Sequence, residues 1–172
     1  MVWGMSLETF TLVHVLISLV GIVTGFVVLL GWLAGRDRSR WTALFLVTTI
    51  LTSVTGFGFP FDHLLPSHKL AILSLVMLAV ALVARYALHL GGAWRWIYVV
   101  TATIALYFNF FVLIVQSFEK VPALKALAPQ QSEPPFVVSQ VIALLAFIVF
   151  GTLAVRRFKP KAAAAAQAKG AA

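Results

Sequence analysis

One histidine lies inside a long apolar segment near the amino terminus of the chain. His14 shares a spacing of three or four residues with other small or polar side chains, so all of them fall on one helix face: Thr11, Ser18, Gly21 and Gly25. An ionisable side chain at membrane depth is costly and marks a functional site by default. Neutral imidazole is also the commonest metal ligand and a proton acceptor. His14 is therefore the first candidate for chemistry.

Three amide side chains are expected at a similar depth in later apolar segments. Asn109 and Gln116 are seven residues apart and share a helix face, and Gln140 lies near the start of the last segment. With His14 they predict a cofactor-binding site in the outer half of a helix bundle, for a metal, haem or a quinone-like ligand. We expect no equivalent polar lining in the inner half.

A second set of candidate ligands lies in one loop. Asp62, His63 and His68 are close in sequence, and carboxylate and imidazole groups bind copper, zinc and iron. Together with His14 they predict a metal site, or a haem held by His14 and His68. The alternative interpretation is that the three loop residues are ordinary interfacial side chains in contact with headgroups.

The sequence lacks the motifs of several common chemistries. The phosphate-binding pattern Gly-x-x-x-x-Gly-Lys-Ser/Thr and the zinc-protease pattern His-Glu-x-x-His are absent. There is no cysteine, which excludes disulfides and thiolate chemistry. Asp62 could orient the imidazole of His63, but no serine is marked as a nucleophile. Catalysis by this chain alone is therefore less favoured than binding, and scattered basic residues make nucleic acid an unexpected partner.

Membrane-spanning helices must position these residues. Hydrophobic residues make up 62% of the chain and charged residues 10%, whereas globular chains average about 25% charged. The composition predicts an all-α integral membrane protein with the lipid bilayer as its partner. Residues 1–158 are predicted to form one domain, and 159–172 a disordered tail rich in Ala and Lys. The five predicted spans cover about residues 7–34, 41–59, 69–90, 94–118 and 136–155.

The basic residues predict the orientation of these spans. Arg36, Arg38 and Arg40 follow the first span, and further arginines and lysines follow the third and fifth. Because positively charged short loops stay in the cytoplasm, the amino terminus is predicted outside and the carboxyl terminus inside a plasma membrane of the bacterial inner-membrane type. Arg85, near the end of the third span, is expected to extend its head to the interface.

The same residues have structural interpretations and permit other functions. Gly21 and Gly25 are typical of close helix packing, within one chain or between copies in a homo-oligomer, and the amides could be interhelical hydrogen bonds. A second hypothesis is a non-catalytic accessory subunit that contacts a membrane-protein partner through a short amphipathic helix in residues 121–135. A third is a small transporter or channel protomer. The sequence favours ligand binding over these two.

Overall fold

The computed structural model describes residues 1–60 and 66–160, and these residues form a bundle of helices. A π-helical turn, Val83–Ala87, continues the third helix. The five long helices match the five predicted segments within a few residues, and a short helix lies in the segment where one was expected. The all-helical prediction is therefore confirmed. The helices are α1 Leu7–Leu33, α2 Ser39–Gly56, α3 Pro66–Leu82, α4 Trp94–Lys120, α5 Pro122–Leu127 and α6 Pro134–Arg157.

Four of these helices are long and apolar enough to cross a membrane, namely α1, α3 with its π-helical turn, α4 and α6. They suggest a multi-pass membrane protein. The helix α2 is not among the four. It has 18 residues, and most of the residues it buries carry hydroxyl groups. The apolar side chains of α2 point mainly outward, as the exposure of Leu44, Val47, Leu51 and Val54 indicates.

Local sequence explains where the helices begin and end. The Ser6 hydroxyl caps α1 by accepting a hydrogen bond from the backbone N–H of Thr9. The same helix ends where Gly35 adopts a left-handed backbone with φ +68°. Pro134 begins α6, where its missing N–H costs nothing. The last turn of α6 carries Arg156 and Arg157, whose charges complement the helix dipole.

The long helices form a ring in the order α1, α2, α3, α4, α6, with α4 also touching α1 and α2 across it. Successive long helices are antiparallel, so the bundle has two ends. We call the end where α1 begins the His14 end, and the end where α1 finishes the Arg85 end. Arginines lie together at the Arg85 end, as predicted. There Arg95 donates a hydrogen bond to the Val155 carbonyl, and Arg157 donates one to the Leu33 carbonyl. Residues 161–172 lie outside the described chain, and so does most of the predicted disordered tail.

The hydrophobic core lies in the half of the bundle nearer the Arg85 end. Trp32 from α1 packs edge-on against Tyr98 from α4, with ring centroids 5.3 Å apart, and both contact Phe158. Phe45 from α2 is buried in the same core. This aromatic packing closes the Arg85 end of the ring.

Arg85 is buried beside this core, so the expectation that it extends to the interface is wrong. Its side chain is 7% exposed, and its Nη2 donates to both carboxylate oxygens of Asp37 at 3.0 and 3.2 Å and to Ser39 Oγ at 3.1 Å. The Asp37 carboxylate therefore neutralises the Arg85 charge in place of a lipid headgroup. A buried arginine needs such a partner, because an unpaired charge in an apolar interior is costly.

Candidate functional site

A cavity of about 80 Å³ with both polar and apolar walls lies at the His14 end, between α1, α2, α3 and α4. Its volume is sufficient for several water molecules, since one molecule needs roughly 10–15 Å³ of such space. The other described residues of the wall carry no polar side chain, and Leu70, Ala71 and Val112 are among them. The polar side chains of the wall are His14, Thr52, Ser53, Ser67, Ser74 and Asn109.

The hydrogen bonds around His14 favour one tautomer of its imidazole. Its Nδ1 lies 2.7 Å from Thr55 Oγ1. The single hydroxyl proton of Thr55 is already donated to the Leu51 carbonyl at 2.7 Å. With the Thr55 hydroxyl donating to Leu51, His14 Nδ1 is assigned as the donor, and in this neutral tautomer Nε2 keeps its lone pair. No described residue has a hydrogen bond to Nε2, so this atom can accept a hydrogen bond or bind a metal ion.

Asn109 contributes a donor from the opposite wall of the cavity. Its side-chain Nδ2 is buried and has no hydrogen-bond partner among the described residues. A buried amide without a partner costs free energy, which a ligand or water would recover. The cavity therefore combines an acceptor on α1 with a donor on α4, in mostly neutral surroundings.

The second predicted amide, Gln116, does not reach this cavity. It lies on the exposed surface of α4, two helical turns beyond Asn109. Gln140 also lies outside the cavity wall, and its Nε2 donates to the Phe111 carbonyl at 3.3 Å. Gln140 therefore joins α6 to α4, as the structural interpretation of the amides predicts. Of the four candidate cofactor-binding residues, the structure brings together His14 and Asn109.

The predicted metal ligands are only partly described. His68 is 3% exposed in the first turn of α3, and its ring stacks on Phe57 with centroids 5.3 Å apart. Its neighbour Ser67 lines the cavity, whereas Asp62 and His63 lie outside the described residues. Within residues 1–60 and 66–160, no three His, Cys, Asp or Glu side chains lie close enough to hold a metal ion. The metal site stays a prediction that depends on Asp62 and His63.

Gly21 and Gly25 face the interior of their own chain. A Cβ atom on Gly25 would collide with Leu106 and approach Phe45 at 3.0 Å. One on Gly21 would lie 3.2 Å from both Thr48 Oγ1 and Thr49 Oγ1. Both glycines therefore serve packing between α1, α2 and α4, and they are not free to form the homo-oligomer interface that their spacing permitted.

Sequence reasoning missed the polar groups at the Arg85 end. The Asp37–Arg85 pair, Thr42 and Tyr98 lie in the half for which no polar lining was expected. One signal was available, because Asp37 is the single carboxylate between Glu8 and Asp62 and it stands among arginines. A buried partner for Arg85 could have been sought there.

A larger groove of about 260 Å³ lies between α4 and α6, away from His14. Aliphatic and aromatic side chains form most of its wall, including Ile104, Tyr107 and Phe147. It lacks a charged or ionisable group other than the Tyr107 phenol, so its wall favours apolar contacts over chemistry. The cavity beside His14 is smaller, but it holds the groups that can recognise a polar ligand.

Comparison of the chain with protein-family models, with curated proteins and with solved structures finds no match.

Proposed function

We propose that the protein is a plasma-membrane protein of the bacterial inner-membrane type that binds a quinone-like headgroup in the cavity beside His14. One observation carries this proposal, namely the pairing of a free acceptor with an unpartnered donor across one polar cavity. His14 Nε2 would accept from a quinol hydroxyl, and Asn109 Nδ2 would donate to an oxygen of the same headgroup. The bilayer would hold the apolar tail that such ligands carry.

The other predicted ligands are less well supported. A porphyrin is far larger than a cavity of about 80 Å³, so haem is not part of the proposal. A metal ion normally needs three or four protein ligands, and His14 is the only described side chain of that kind in the cavity wall. Should a metal bind here, His14 Nε2 would be one ligand, and Asp62, His63 or His68 would have to supply the rest.

The proposal includes five spans, with α2 as the fifth. Its 18 residues extend over about 27 Å at 1.5 Å per residue, close to a hydrocarbon thickness of about 30 Å. The arginines at the Arg85 end favour a cytoplasmic location for that end and an external amino terminus. A Ser6→Cys variant of this cysteine-free chain tests the orientation. An impermeant maleimide labels it in intact cells only if the amino terminus is outside.

The binding test uses purified protein in lipid nanodiscs and a short-chain quinol, which is kept reduced without oxygen and titrated by tryptophan fluorescence. His14→Ala and Asn109→Leu should each weaken binding roughly 10- to 100-fold, because each removes a hydrogen bond worth about 1–3 kcal/mol in a buried site. Gln116→Leu is the matched control, since it removes an exposed amide from the same helix and should leave the affinity unchanged. The absorption spectrum and metal content of the same preparation test the competing ligands.

Two results would overturn the proposal. One is absence of saturable quinol binding to the wild-type protein. The other is equal affinity in wild type, His14→Ala and Asn109→Leu. A bound metal that disappears in His14→Ala would assign the cavity to the metal instead.

A further inference from the structure

Charge is distributed unequally between the two ends of the bundle. Among the described residues, the Arg85 end carries eight lysine and arginine side chains but one carboxylate, that of Asp37, which already pairs with Arg85. At the His14 end, the described lysines and glutamates are equal in number. Positive charge at a helix end orients a membrane protein, so the excess alone does not define a binding site. A site also needs a shape that holds a ligand beside the cations.

The groove between α4 and α6 provides such a shape. Its wall on α6 includes residues that recur every four positions, namely Leu144, Ile148 and Thr152. Arg156 continues this row by one further turn, and Lys159 follows three residues later. Both side chains are exposed, and neither has an ion pair among the described residues. Arg157 points away from the groove, toward α1, where it donates to the Leu33 carbonyl at 3.5 Å.

The wall on α4 ends in a similar way. Val100 lines the groove, and Trp96 lies one helical turn before it on the same face. The Trp96 side chain is 47% exposed, and indole rings favour the headgroup level of a bilayer. We call Trp96, Arg156 and Lys159 the groove mouth. It combines an interfacial ring from α4 with two cations from the end of α6.

Arg95 fixes the two sides of the mouth relative to each other. It lies in the first turn of α4, and its Nη1 donates to the carbonyls of Val155 and Phe158, both at 2.7 Å. These carbonyls belong to the end of α6 and to the residue that follows it. A charged donor makes a strong hydrogen bond to such helix-end carbonyls. The start of α4 and the end of α6 are therefore held together beside the groove.

The groove has the position and the size for part of an acyl chain. It extends from Val100 to Tyr107, the middle residue of α4, which is about 10 Å at 1.5 Å per residue. Its volume is about 260 Å³, whereas an apolar cavity of roughly 150 Å³ can hold benzene. Leu144 and Ile148 of its wall are 41% and 55% exposed, so the groove opens on the outer surface of the bundle. In a bilayer, that surface faces lipid.

The spacing between the groove and its mouth matches the structure of a phospholipid. Arg156 lies one turn beyond Thr152, and Trp96 one turn beyond Val100. One turn rises 5.4 Å, and the headgroup region on each side of a bilayer is about 5–7 Å thick. A phosphate at the mouth would therefore place the start of its acyl chains at the first residues of the groove.

We propose that the groove between α4 and α6 is a binding site for one anionic phospholipid, with the phosphate at the groove mouth and an acyl chain along the groove. Arg156 and Lys159 neutralise the negative charge of the headgroup, and the aliphatic and aromatic wall contacts the chain. A zwitterionic lipid offers the same chain but no net charge, so it binds less tightly. The proposal rests on the membrane insertion proposed above but not on the quinol site, which lies at the other end of the bundle.

Titration of the detergent-purified protein with dioleoyl phosphatidylglycerol, followed by native mass spectrometry, measures the affinity for the first bound lipid. The wild-type protein should bind this lipid about tenfold more tightly than dioleoyl phosphatidylcholine, because each cation near a headgroup favours the anionic lipid. Arg156→Gln with Lys159→Gln should remove that preference. Arg38→Gln with Arg40→Gln is the matched control, since it removes the same charge from the same end, at the start of α2. It should leave the preference unchanged.

A second pair of variants tests the groove itself. Thr152→Phe places an aromatic ring in the groove and should weaken phosphatidylglycerol binding several-fold. Val149→Phe adds the same ring to α6 at a position that is 53% exposed and does not line the groove, so binding should be unchanged. Excess inorganic phosphate should not displace the lipid, because the free ion makes no contact with the groove. Displacement would assign the mouth to a free anion and overturn the proposal.

Three further results would overturn it. They are equal wild-type affinity for the two lipids, equal loss of preference in the two double variants, and equal affinity in Thr152→Phe and Val149→Phe. The test is also separate from that of the quinol site. Quinol affinity should survive Thr152→Phe, and phosphatidylglycerol affinity should survive His14→Ala, so failure of one site is distinguishable from failure of the other.

Discussion

The two ends of the bundle bury different kinds of polar groups in an apolar interior. At the Arg85 end, a charged pair is held against an aromatic core, and the side chains of Arg85 and Asp37 are 7% and 15% exposed. At the His14 end, the buried polar groups include an imidazole, hydroxyls and an amide around a cavity. The ion pair described near that end, Lys120 with Glu119, lies on the surface at 70% and 45% exposure.

The comparison indicates that the dense core and the buried ion pair lie at one end of the bundle, whereas the cavity lies at the other. The charged pair completes the packing where the core is dense. The neutral polar groups at the other end include the His14 imidazole and the Asn109 amide on the wall of the cavity. Substitutions at the two ends should therefore differ in how much they lower the free energy of unfolding.

Removal of the Asp37 carboxylate should have the largest effect on stability. Asp37→Ala leaves the Arg85 guanidinium buried without its counter-charge, which should lower the free energy of unfolding by about 3–5 kcal/mol. Glu119→Ala breaks the exposed pair and should cost about 1 kcal/mol or less. Denaturant unfolding of both variants in the same detergent measures the difference. Equal losses would contradict the contrast between the two ends.

Two glycine substitutions test whether the two ends of the bundle differ in packing density. Gly25→Ala places a methyl group against Leu106 and Phe45, and overpacking of this kind should cost about 1–3 kcal/mol. Gly56→Ala adds the same group at the His14 end, where no atom of residues 1–60 or 66–160 outside its own helix turn lies within 4 Å of the new Cβ. Because alanine favours helix over glycine by roughly 1 kcal/mol, this variant should be as stable as wild type or slightly more stable. Thermal unfolding compares the two, and a lower melting temperature for Gly56→Ala would show that the His14 end is packed as tightly.

The smallest effect is expected at the loop between α5 and α6, beside the His14 end. Desolvation of the Glu133 carboxyl opposes its ionisation, but backbone N–H groups of Glu133 itself, Gln130, Ser132 and Gln131 outweigh it and lower the pKa of Glu133. Since the folded pKa lies below the unfolded one, the carboxylate stabilises the loop above the ordinary Glu pKa of about 4.3. That contribution is lost as the pH falls through the folded pKa.

Amide hydrogen exchange of residues 130–133 between pH 6 and pH 3, corrected for intrinsic rates, measures this loss. Glu133→Gln is the control, since it cannot ionise and should remove the pH dependence of protection. Protection that depends on pH equally in both proteins would assign the effect to another group.

Much of the fold follows from the sequence because apolar length and helix-ending residues are local signals. The helices α1, α4 and α6 begin and end within about two residues of the predicted boundaries. The lining of the cavity is less predictable, because helical periodicity tells which residues share a face but not which neighbour covers that face. Asn109 and Gln116 share a face of α4, yet Asn109 meets α1 and α2 whereas Gln116 remains exposed.

The Asp37–Arg85 pair shows a second reason why side-chain contacts are less predictable from the sequence than helix boundaries. These residues are 48 positions apart, and their contact depends on the π-helical turn and on the connection between α1 and α2, neither of which leaves a periodic pattern. A π-helical turn inserts a residue into the helix and rotates the side chains that follow it. Periodicity counted along α3 as a regular helix cannot therefore place Arg85.

The buried hydroxyl groups of α2 affect how this helix is expected to enter a membrane during synthesis. A segment enters the bilayer from the insertion machinery according to its own hydrophobicity, and α2 is the long helix that falls short of the apolar spans. It follows α1 after only the residues 34–38, so α1 is still close by when α2 is synthesised. We expect the two to enter lipid together as a helical hairpin, with the hydroxyls of α2 turned toward α1 and away from the acyl chains. Biogenesis of this protein would then depend on the order of its first two helices as much as on their composition.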